Sequence, residues 1–521
     1  MFHVRKRLVP TLAAPYRYAM SSEDRRRYRA LEARDARFDG LFFVGVSSTG
    51  IYCRPICPAR TPRQANCKFY DSAEHAEQAG FRPCLRCRPE LAPGHAPIDD
   101  RKRIAQLIIQ RLQEGGLDEK LGIDLIASQF QLSSRQLRRI VQQELGVAPI
   151  QLLLTRRLLL AKQLLTETTL PVVNVAFASG FSSVRRFNDA FRGRYGLPPG
   201  RLRRQVQSGA PDTFRQSSVL QLCYRAPYDW QGIIGFLKGR ALDGIEVVTE
   251  DGYARTVRWG NFSGWIRVTH APRKQSLLLE FSHDLMPVLP LLIARVRSLF
   301  DLDARPDVVA KHLSRDPLLA RAVKANPGLR VPGAFHGFEL GLRAILGQQI
   351  SVQAATTLAC RFVQTFGEPL ATPFPELHRT SPLPERIAEA DVEEISAHGI
   401  VSTRARSIIA LAVAQRSPEL CLDGGRCVDP EAFMARLTQL PGIGTWTAHY
   451  ITMRALGWSD AFPKEDVALR HRLGNVTAKE AEALAERWRP WRSYAVLHLW
   501  RMPKSHGNRA RSTDIVAAPN R

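Results

Sequence analysis

Between Leu121 and Leu145 the chain reads LGIDLIASQFQLSSRQLRRIVQQEL, with apolar residues at helical spacing on both sides of a polar break. Positions three and four apart share one helix face, so this pattern predicts helix, tight turn, helix. Ser133 or Ser134 is placed to cap the second helix, leaving Arg135, Gln136, Arg138 and Arg139 on its exposed side. The pattern then repeats in LPVVNVAFASGFSSVRRFNDAFRGRYGLPPGRLRR, where a basic helix starts near Ser183. That helix presents Arg185, Arg186 and Asn188, while Phe187 and Phe191 fall on the opposite, core-facing side. After a polar linker, VLQLCYRAP, EVVTEDGYARTVRWGNFSGWIRVTHA and QSLLLEFS alternate apolar with polar residues, which predicts antiparallel strands. MPVLPLLIARVRSLFDL and ARPDVVAKHL predict helices, so an α+β module precedes a mostly helical one. GAFHGFELGLRAILGQQISVQAATTLACRFVQTFG predicts a long amphipathic helix pair broken at Gly347-Gln348-Gln349, a polar kink suited to entering a duplex.

Length and composition narrow the class. A chain of 521 residues exceeds one hydrophobic core and predicts three or four domains. Its 45% hydrophobic and 24% charged residues are those of globular proteins, and no apolar run approaches the roughly 20 residues of a membrane span. The basic start carries only LVPTLAAPY as an apolar stretch, broken by two prolines, so no export signal is expected and Met20 is a candidate start. Lys and Arg number 74 against 49 Asp and Glu, a net charge of +25 spread along the chain. A polyanionic partner, most simply nucleic acid, follows from that balance.

Four of nine cysteines form close pairs, Cys53 with Cys57 and Cys84 with Cys87. Two such pairs bridged by a strand and a helix suit one tetrahedral zinc in a reducing compartment, with Cys67 left outside the site. Arg54, Arg60, Arg63, Arg82, Arg86 and Arg88 crowd the pairs and are suited to phosphates. Four thiolates on Zn²⁺ carry a formal charge near −2, so one sulfur stays nucleophilic. If it accepts a methyl group, repulsion from DNA falls. The residues alone do not say which cysteine reacts.

In the last third, Leu440-Pro441-Gly442-Ile443-Gly444 makes a tight hairpin whose following amides sit at a helix N-terminus, a phosphate site without side chains. Carbonyls of Gly442 to Gly444, Thr438 and Leu440 are a candidate monovalent-cation site. DAFPKEDVALRHRLG sets Glu465 and Asp466 at a helix start, where either is a cap or a chemical group.

Three stretches resemble known families. STGIYCRPICPAR and GFRPCLRCRPE resemble the N-terminal domain of the Ada adaptive-response proteins. By that resemblance Cys53 is the methyl acceptor, Cys57, Cys84 and Cys87 are its co-ligands, and Thr49, Arg60, Arg82 and Arg86 contact DNA. No Pro-Cys-His-Arg stretch occurs, so alkylguanine repair is not expected of this chain. The repeated helix pairs, with GFSSVRRFNDAFR and YGLPPGRLRR, resemble the double helix-turn-helix of AraC-type regulators, which implies that Arg135, Arg138, Arg185 and Arg186 read DNA. GLRAILGQQIS, LPGIGTWTAHY, FPKEDVALR and AERWRPWRSYAVLHLW resemble, in order and spacing, AlkA-type 3-methyladenine DNA glycosylases of the helix-hairpin-helix superfamily.

This last resemblance implies Asp466 as catalytic carboxylate and Trp446, Tyr450 and Trp500 as base pocket, with Gln348, Gln349, Gly442 and Gly444 on DNA. Trp446 stands where nicking relatives carry a Schiff-base lysine, so a monofunctional enzyme is expected. No cysteine follows Cys427, which excludes the iron–sulfur loop of another branch.

The expected architecture is multidomain, mainly α with α+β modules. It comprises a basic extension (1–19), a zinc methyl-acceptor domain (20–95), a double helix-turn-helix (98–206) and a linker (207–216). A TBP-like α+β module (217–330), an all-α helix-hairpin-helix domain (331–505) and a tail (506–521) follow. The expected partners are double-stranded, alkylated and promoter DNA and RNA polymerase, for a monomer of the bacterial cytoplasm and nucleoid with no membrane contact. Two rival readings keep the basic features: a regulator whose glycosylase half only holds DNA, and a glycosylase whose zinc domain is only an anchor.

Overall fold

The computed structural model describes residues 21–93, 124, 127, 132–206, 216–417, 420, 422–423 and 430–502. The basic extension, most of the first helix of the first helix-turn-helix, the linker up to residue 215, Cys427 and the tail lie outside the described residues.

The first module is a small sheet of order β3-β1-β2-β4, built from β1 (Phe43–Val46), β2 (Ile51–Cys53), β3 (Cys67–Tyr70) and β4 (Arg82–Pro83). β1 is central and wholly buried, pairing antiparallel with β2 and β3. Ser21 and Ser72 cap the helices Ser22–Glu32 and Ala73–Gln78 by accepting N–H bonds from their first turns.

In the second module Ser133 and Gln136 close a capping box on the helix Ser134–Leu145, and Gly146 ends it at φ 69°. The helix Pro149–Glu167 is the spine. Val172–Ala178 and Val184–Tyr195 form the second helix-turn-helix, the latter capped by Ser183. Phe187 and Phe191 are 0% exposed, as the period-3.6 pattern requires.

The third module is an antiparallel sheet of order β5-β9-β8-β7-β6, formed by β5 (Ser217–Cys223), β6 (Glu246–Val248), β7 (Gly252–Trp259), β8 (Phe262–Ala271) and β9 (Ser276–Ser282). One continuous core runs from Leu158, Leu164 and Phe191 of the second module through Leu220, Ile266 and Leu279 of the sheet to Leu292 and Val296. The second module and the sheet are therefore packed together.

The helical half has two cores. One gathers Leu342, Ile345, Phe362, Leu411 and Ile451. The other joins Val309, Leu313 and Leu319 to Trp488, Val496 and Leu499. The helices Pro306–Leu313 and Pro317–Ala325 thus pack with Arg492–Arg501, across the boundary expected at residue 330. Trp488 Nε1 donates to Asp316 Oδ2 at 2.6 Å, tying the two segments together.

The first module docks on the spine through buried ions. Lys162 Nζ lies 2.6 Å from Glu90 Oε2, both side chains 1% exposed, and also donates to the Cys84 carbonyl at 3.1 Å. Arg88 bridges Glu90 and Glu167, Arg156 pairs with Glu74, and Arg194 pairs with Glu77, which also accepts from Tyr52 and Thr155. Arg225 of the sheet module donates to the Asp39 carbonyl at 3.1 Å. No helix among the described residues is long and apolar enough to cross a membrane.

Candidate thiolate centre, DNA-reading helices and base pocket

β2 ends in Cys53, Cys57 follows in a turn, and Cys84 and Cys87 flank the turn after β4. The four sulfurs lie within 4.8 Å of one another. A tetrahedron with Zn–S of about 2.3 Å has edges of about 3.8 Å, so the donor set fits one zinc ion. Cys57, Cys84 and Cys87 are buried, at 6 to 7% exposure, whereas Cys53 reaches solvent. Backbone N–H groups of Ala59, Arg86 and Arg54 face the three buried sulfurs and draw charge from them. Exposure therefore sets Cys53 apart as the most accessible of the four sulfurs. Cys67 stays outside the cluster, bonded to the Arg63 carbonyl.

Two flanking arginines correct the expectation of a uniform phosphate collar. Arg54 is buried, ion-paired to Asp39 and bonded to the Cys87 carbonyl, and Arg88 is spent on Glu90 and Glu167. Both brace the fold. Thr49, Arg60, Arg82 and Arg86 are exposed, as are Arg135, Arg138, Arg185 and Arg186 on their two capped helices. A Cβ on Gly196, at the end of the helix Val184–Tyr195, would lie 3.6 Å from an Arg82 nitrogen, so the exposed basic faces of the first and second modules adjoin.

In the helical half, Trp446 and Tyr450 sit one turn apart on the helix Thr445–Arg454. Their rings stack at 5.3 Å and 8°, and Trp500 stands 6.4 Å from Tyr450. Asp466 meets this wall directly. Trp446 Nε1 donates to Oδ2 at 3.0 Å and Trp500 Nε1 to Oδ1 at 3.2 Å. The Leu469 amide also donates to Oδ1, at 2.7 Å, so Asp466 caps the helix Val467–Arg472 as well. Cap and pocket carboxylate are one group. Glu465 instead faces His449, whose pKa burial pushes down to about 4 against the opposing pull of the Glu465 charge.

Sequence reasoning missed the cations behind Tyr450. Its hydroxyl accepts from Arg454 at 2.7 Å. Burial pushes the phenol pKa up, but Arg454 and Arg240 outweigh it and hold the pKa below the usual value. Arg454 was legible as the i+4 neighbour of Tyr450, but Arg240 comes from the sheet module and carried no local signal.

The hairpin forms as expected. Gly442 has φ 71°, and a Cβ there would strike Ser407, so glycine is required. Gly444 is exposed and caps Thr445–Arg454. Gln348 does not point outward. Its Nε2 donates to the Gly442 carbonyl at 2.8 Å and to Thr447 Oγ1 at 2.9 Å, while its own carbonyl accepts from Arg404. Gln349 is the exposed residue of the pair.

Four family models match the chain. They are the metal binding domain of Ada over residues 26–90, a helix-turn-helix domain over 126–205, the AlkA N-terminal domain over 219–336, and the HhH-GPD superfamily base excision DNA repair protein over 342–492. A Mycobacterium tuberculosis protein described as a probable bifunctional transcriptional activator/DNA repair enzyme AlkA is 38% identical, over 92% of this chain and 97% of that protein. The DNA-3-methyladenine glycosylase 2 of Escherichia coli is 37% identical, over 54% of this chain and 95% of that protein. The bifunctional transcriptional activator/DNA repair enzyme Ada of Escherichia coli is 34% identical, over 24% of this chain and 34% of that protein.

Proposed function

Because the chain belongs to the family of bifunctional transcriptional activator/DNA repair enzymes of the AlkA type, we propose that it excises alkylated bases such as 3-methyladenine and couples methylation of Cys53 to promoter binding. The observation that carries the first activity is the Asp466 carboxylate, with both oxygens held by indole N–H groups of the pocket's own rings. An N-alkylated purine is electron-poor and often cationic, so Trp446, Tyr450 and Trp500 bind it by stacking and cation–π attraction. Its glycosidic bond is already weak. As that bond lengthens, positive charge grows on the sugar, and Asp466 stabilises it and orients water. The products are the free base and an abasic site, with no lysine in place for strand cleavage. The hairpin amides around Gly442 and Gly444 hold the adjacent phosphate, and the nearby carbonyls suit a monovalent cation.

Cys53, Cys57, Cys84 and Cys87 would hold a zinc ion, which would keep the Cys53 thiolate nucleophilic at neutral pH. The Cys53 sulfur attacks the methyl carbon of a methyl phosphotriester. An S–C bond forms, the C–O bond breaks, and the phosphodiester leaves with its negative charge restored. Thr49, Arg60, Arg82 and Arg86 hold flanking phosphates, and the capped helices carrying Arg135, Arg138, Arg185 and Arg186 read the promoter and bring it to RNA polymerase. The protein works as a cytoplasmic monomer at the nucleoid.

The test is release of 3-methyladenine from methylated duplex DNA by wild type and Asp466→Asn. Unit charges about 4 Å apart at an effective dielectric of about 20 interact by about 4 kcal/mol, so the variant should be roughly 10³-fold slower. Full-rate release by the variant removes the catalytic assignment. Mass spectrometry after incubation with methyl-phosphotriester DNA should find one added methyl on Cys53, and none in Cys53→Ser.

A further inference from the structure

Both helices that supply the pocket's rings also hold the loop that leads to Asp466. The helix Arg492–Arg501, which carries Trp500, fastens its start. There the Ser493 hydroxyl donates to the Trp458 and Ala461 carbonyls at 2.8 and 3.1 Å, its amide donates to the Ser459 carbonyl at 2.9 Å, and Arg492 pairs with Asp460 at 2.9 Å. The helix Thr445–Arg454, which carries Trp446 and Tyr450, fastens its end through a third side chain. His449 Nδ1 accepts the Phe462 amide at 3.3 Å. Phe462 is 2% exposed, so an amide released there would be left buried without a partner. From that point the chain turns tightly, the Phe462 carbonyl accepting from the Lys464 amide and the Pro463 carbonyl from the Asp466 amide, both at 2.9 Å. A shift at Phe462 is therefore passed to Asp466, four residues on.

His449 can hold the loop only as a neutral ring. Accepting at Nδ1 places its proton on Nε2, and an imidazolium has no lone pair left to offer. Burial, helped by Arg492 and Lys464, outweighs the pull of Glu465 and Glu482 and pushes the pKa down to about 4. The ring also lies parallel to the Trp458 indole, at 6.4 Å and 8°, which ties it to the start of the same loop. A carboxylate that meets a developing positive charge works by being aimed beforehand, so a backbone held at both ends is part of its chemistry.

We propose that His449 is a positioning residue for excision: by accepting the Phe462 amide it fixes the loop 458–466 to the pocket helix and so aims the Asp466 carboxylate at the sugar. This rests on the base-excision reading of the helical half.

The experiment compares full-length wild type, His449→Leu, which keeps bulk and loses the acceptor, and His449→Asn, whose side-chain oxygen can take the Phe462 amide. Single-turnover release of 3-methyladenine is measured beside affinity for a duplex carrying a tetrahydrofuran abasic analogue. His449→Leu should release base ~5- to 30-fold more slowly, the worth of about one hydrogen bond, with its affinity for the abasic duplex kept. His449→Asn should recover most of that loss. Hydrogen exchange across residues 458–466 should quicken in His449→Leu and not in His449→Asn. A further arm needs no acceptor-free variant: because Asp466 is common to both proteins, the rate of wild type relative to His449→Asn should drop by about 2-fold as pH falls from 7 to 4, where half the rings are protonated. Full-rate release by His449→Leu, equal slowing of the Leu and Asn variants, affinity lost in step with rate, or a ratio indifferent to pH overturns the proposal. Wild type that releases base beside a full-rate His449→Leu sinks the positioning role alone, whereas wild type that releases none sinks the excision reading and the positioning role with it.

Discussion

Replacing Lys162 by Met removes a charge that sequence alone would have assigned to solvent. Lys162 and Glu90 are each 1% exposed, their charged atoms are 2.6 Å apart, and the ammonium also serves the Cys84 carbonyl. Breaking a buried pair by deleting one partner costs about 3–5 kcal/mol, because the other charge is left behind. Arg88 Nε remains 3.1 Å from the other Glu90 oxygen and softens that loss, so about 3 kcal/mol is expected. The loss should be local, since Lys162 joins the first module to the spine. Hydrogen exchange should therefore show faster opening of residues 21–93, with protection of the helical half unchanged. The double variant Lys162→Met/Glu90→Leu should recover most of the stability, because no unpaired ion remains. Protection of the first module equal to wild type in Lys162→Met would refute the buried clamp.

Further outcomes follow from the same geometry. Trp446→Phe keeps the ring but deletes the Nε1 bond to Asp466, and a hydrogen bond to a charged group is worth about 1.5–3 kcal/mol, so kcat should fall ~10- to 100-fold with KM little changed. Unchanged kcat would show that the indole does not position the carboxylate. His498 has its pKa pushed down to about 4, by burial first and by Arg501 second. The unfolded chain takes up that proton near the ordinary value, so the contribution is complete above about pH 6.5 and lost as pH falls through 4, about 3 kcal/mol in all. Urea midpoints between pH 7 and 4 should be flatter in His498→Phe than in wild type, and parallel slopes would exclude the assignment. A zinc chelator in mild denaturant should abolish exchange protection in residues 21–93 while base release continues, and intact protection would mean the thiolates do not depend on metal.

The legible parts of this molecule were those set by near neighbours along the chain. Phe187 and Phe191 at i, i+4, the Ser133 and Ser183 caps, the alternation in β5, and the cysteine pairs each obey rules spanning a few residues. The pocket residues were reached through resemblance, since Trp446 and Asp466 are 20 apart and Trp500 is 34 beyond Asp466. What escaped lies between modules. Nothing near Lys162 announces that Glu90, 72 residues earlier, will bury it. Arg54 and Arg88 looked like phosphate ligands because they flank the cysteines; Glu90, two residues beyond Arg88, was a local cue to its pairing, whereas Asp39 and Glu167 lie farther off in the chain. Gln348 and Gln349 are identical letters, and only the hairpin's position turns one inward and the other out. The helices Pro306–Leu313 and Pro317–Ala325, which precede the helical half in sequence, share a core with its Trp488 and Val496.

The clamp bears on how a methyl group at Cys53 can act on promoter binding. The first module is held to the spine by Lys162 and to the second reading helix by the Arg194–Glu77 pair, and Arg82 adjoins Gly196 at that helix's end. The first module and the helix Val184–Tyr195 thus adjoin, and under the proposed function a charge lost at the thiolates acts on DNA held by Arg185 and Arg186. For a phosphate about 10 Å away, removing one unit of negative charge relieves about 0.4 kcal/mol at a dielectric of 80 and about 1.7 kcal/mol at 20. That corresponds to roughly 2- to 15-fold tighter binding per phosphate, screened by salt over about 8–10 Å. The gain from methylation should therefore shrink steeply between about 50 and 200 mM salt, while the reader's own sequence preference stays constant. Affinity titrations of methylated and unmethylated protein on one promoter duplex across that range decide the matter. A gain indifferent to salt would mean that methylation works by rearranging the clamp, with Lys162→Met then abolishing it.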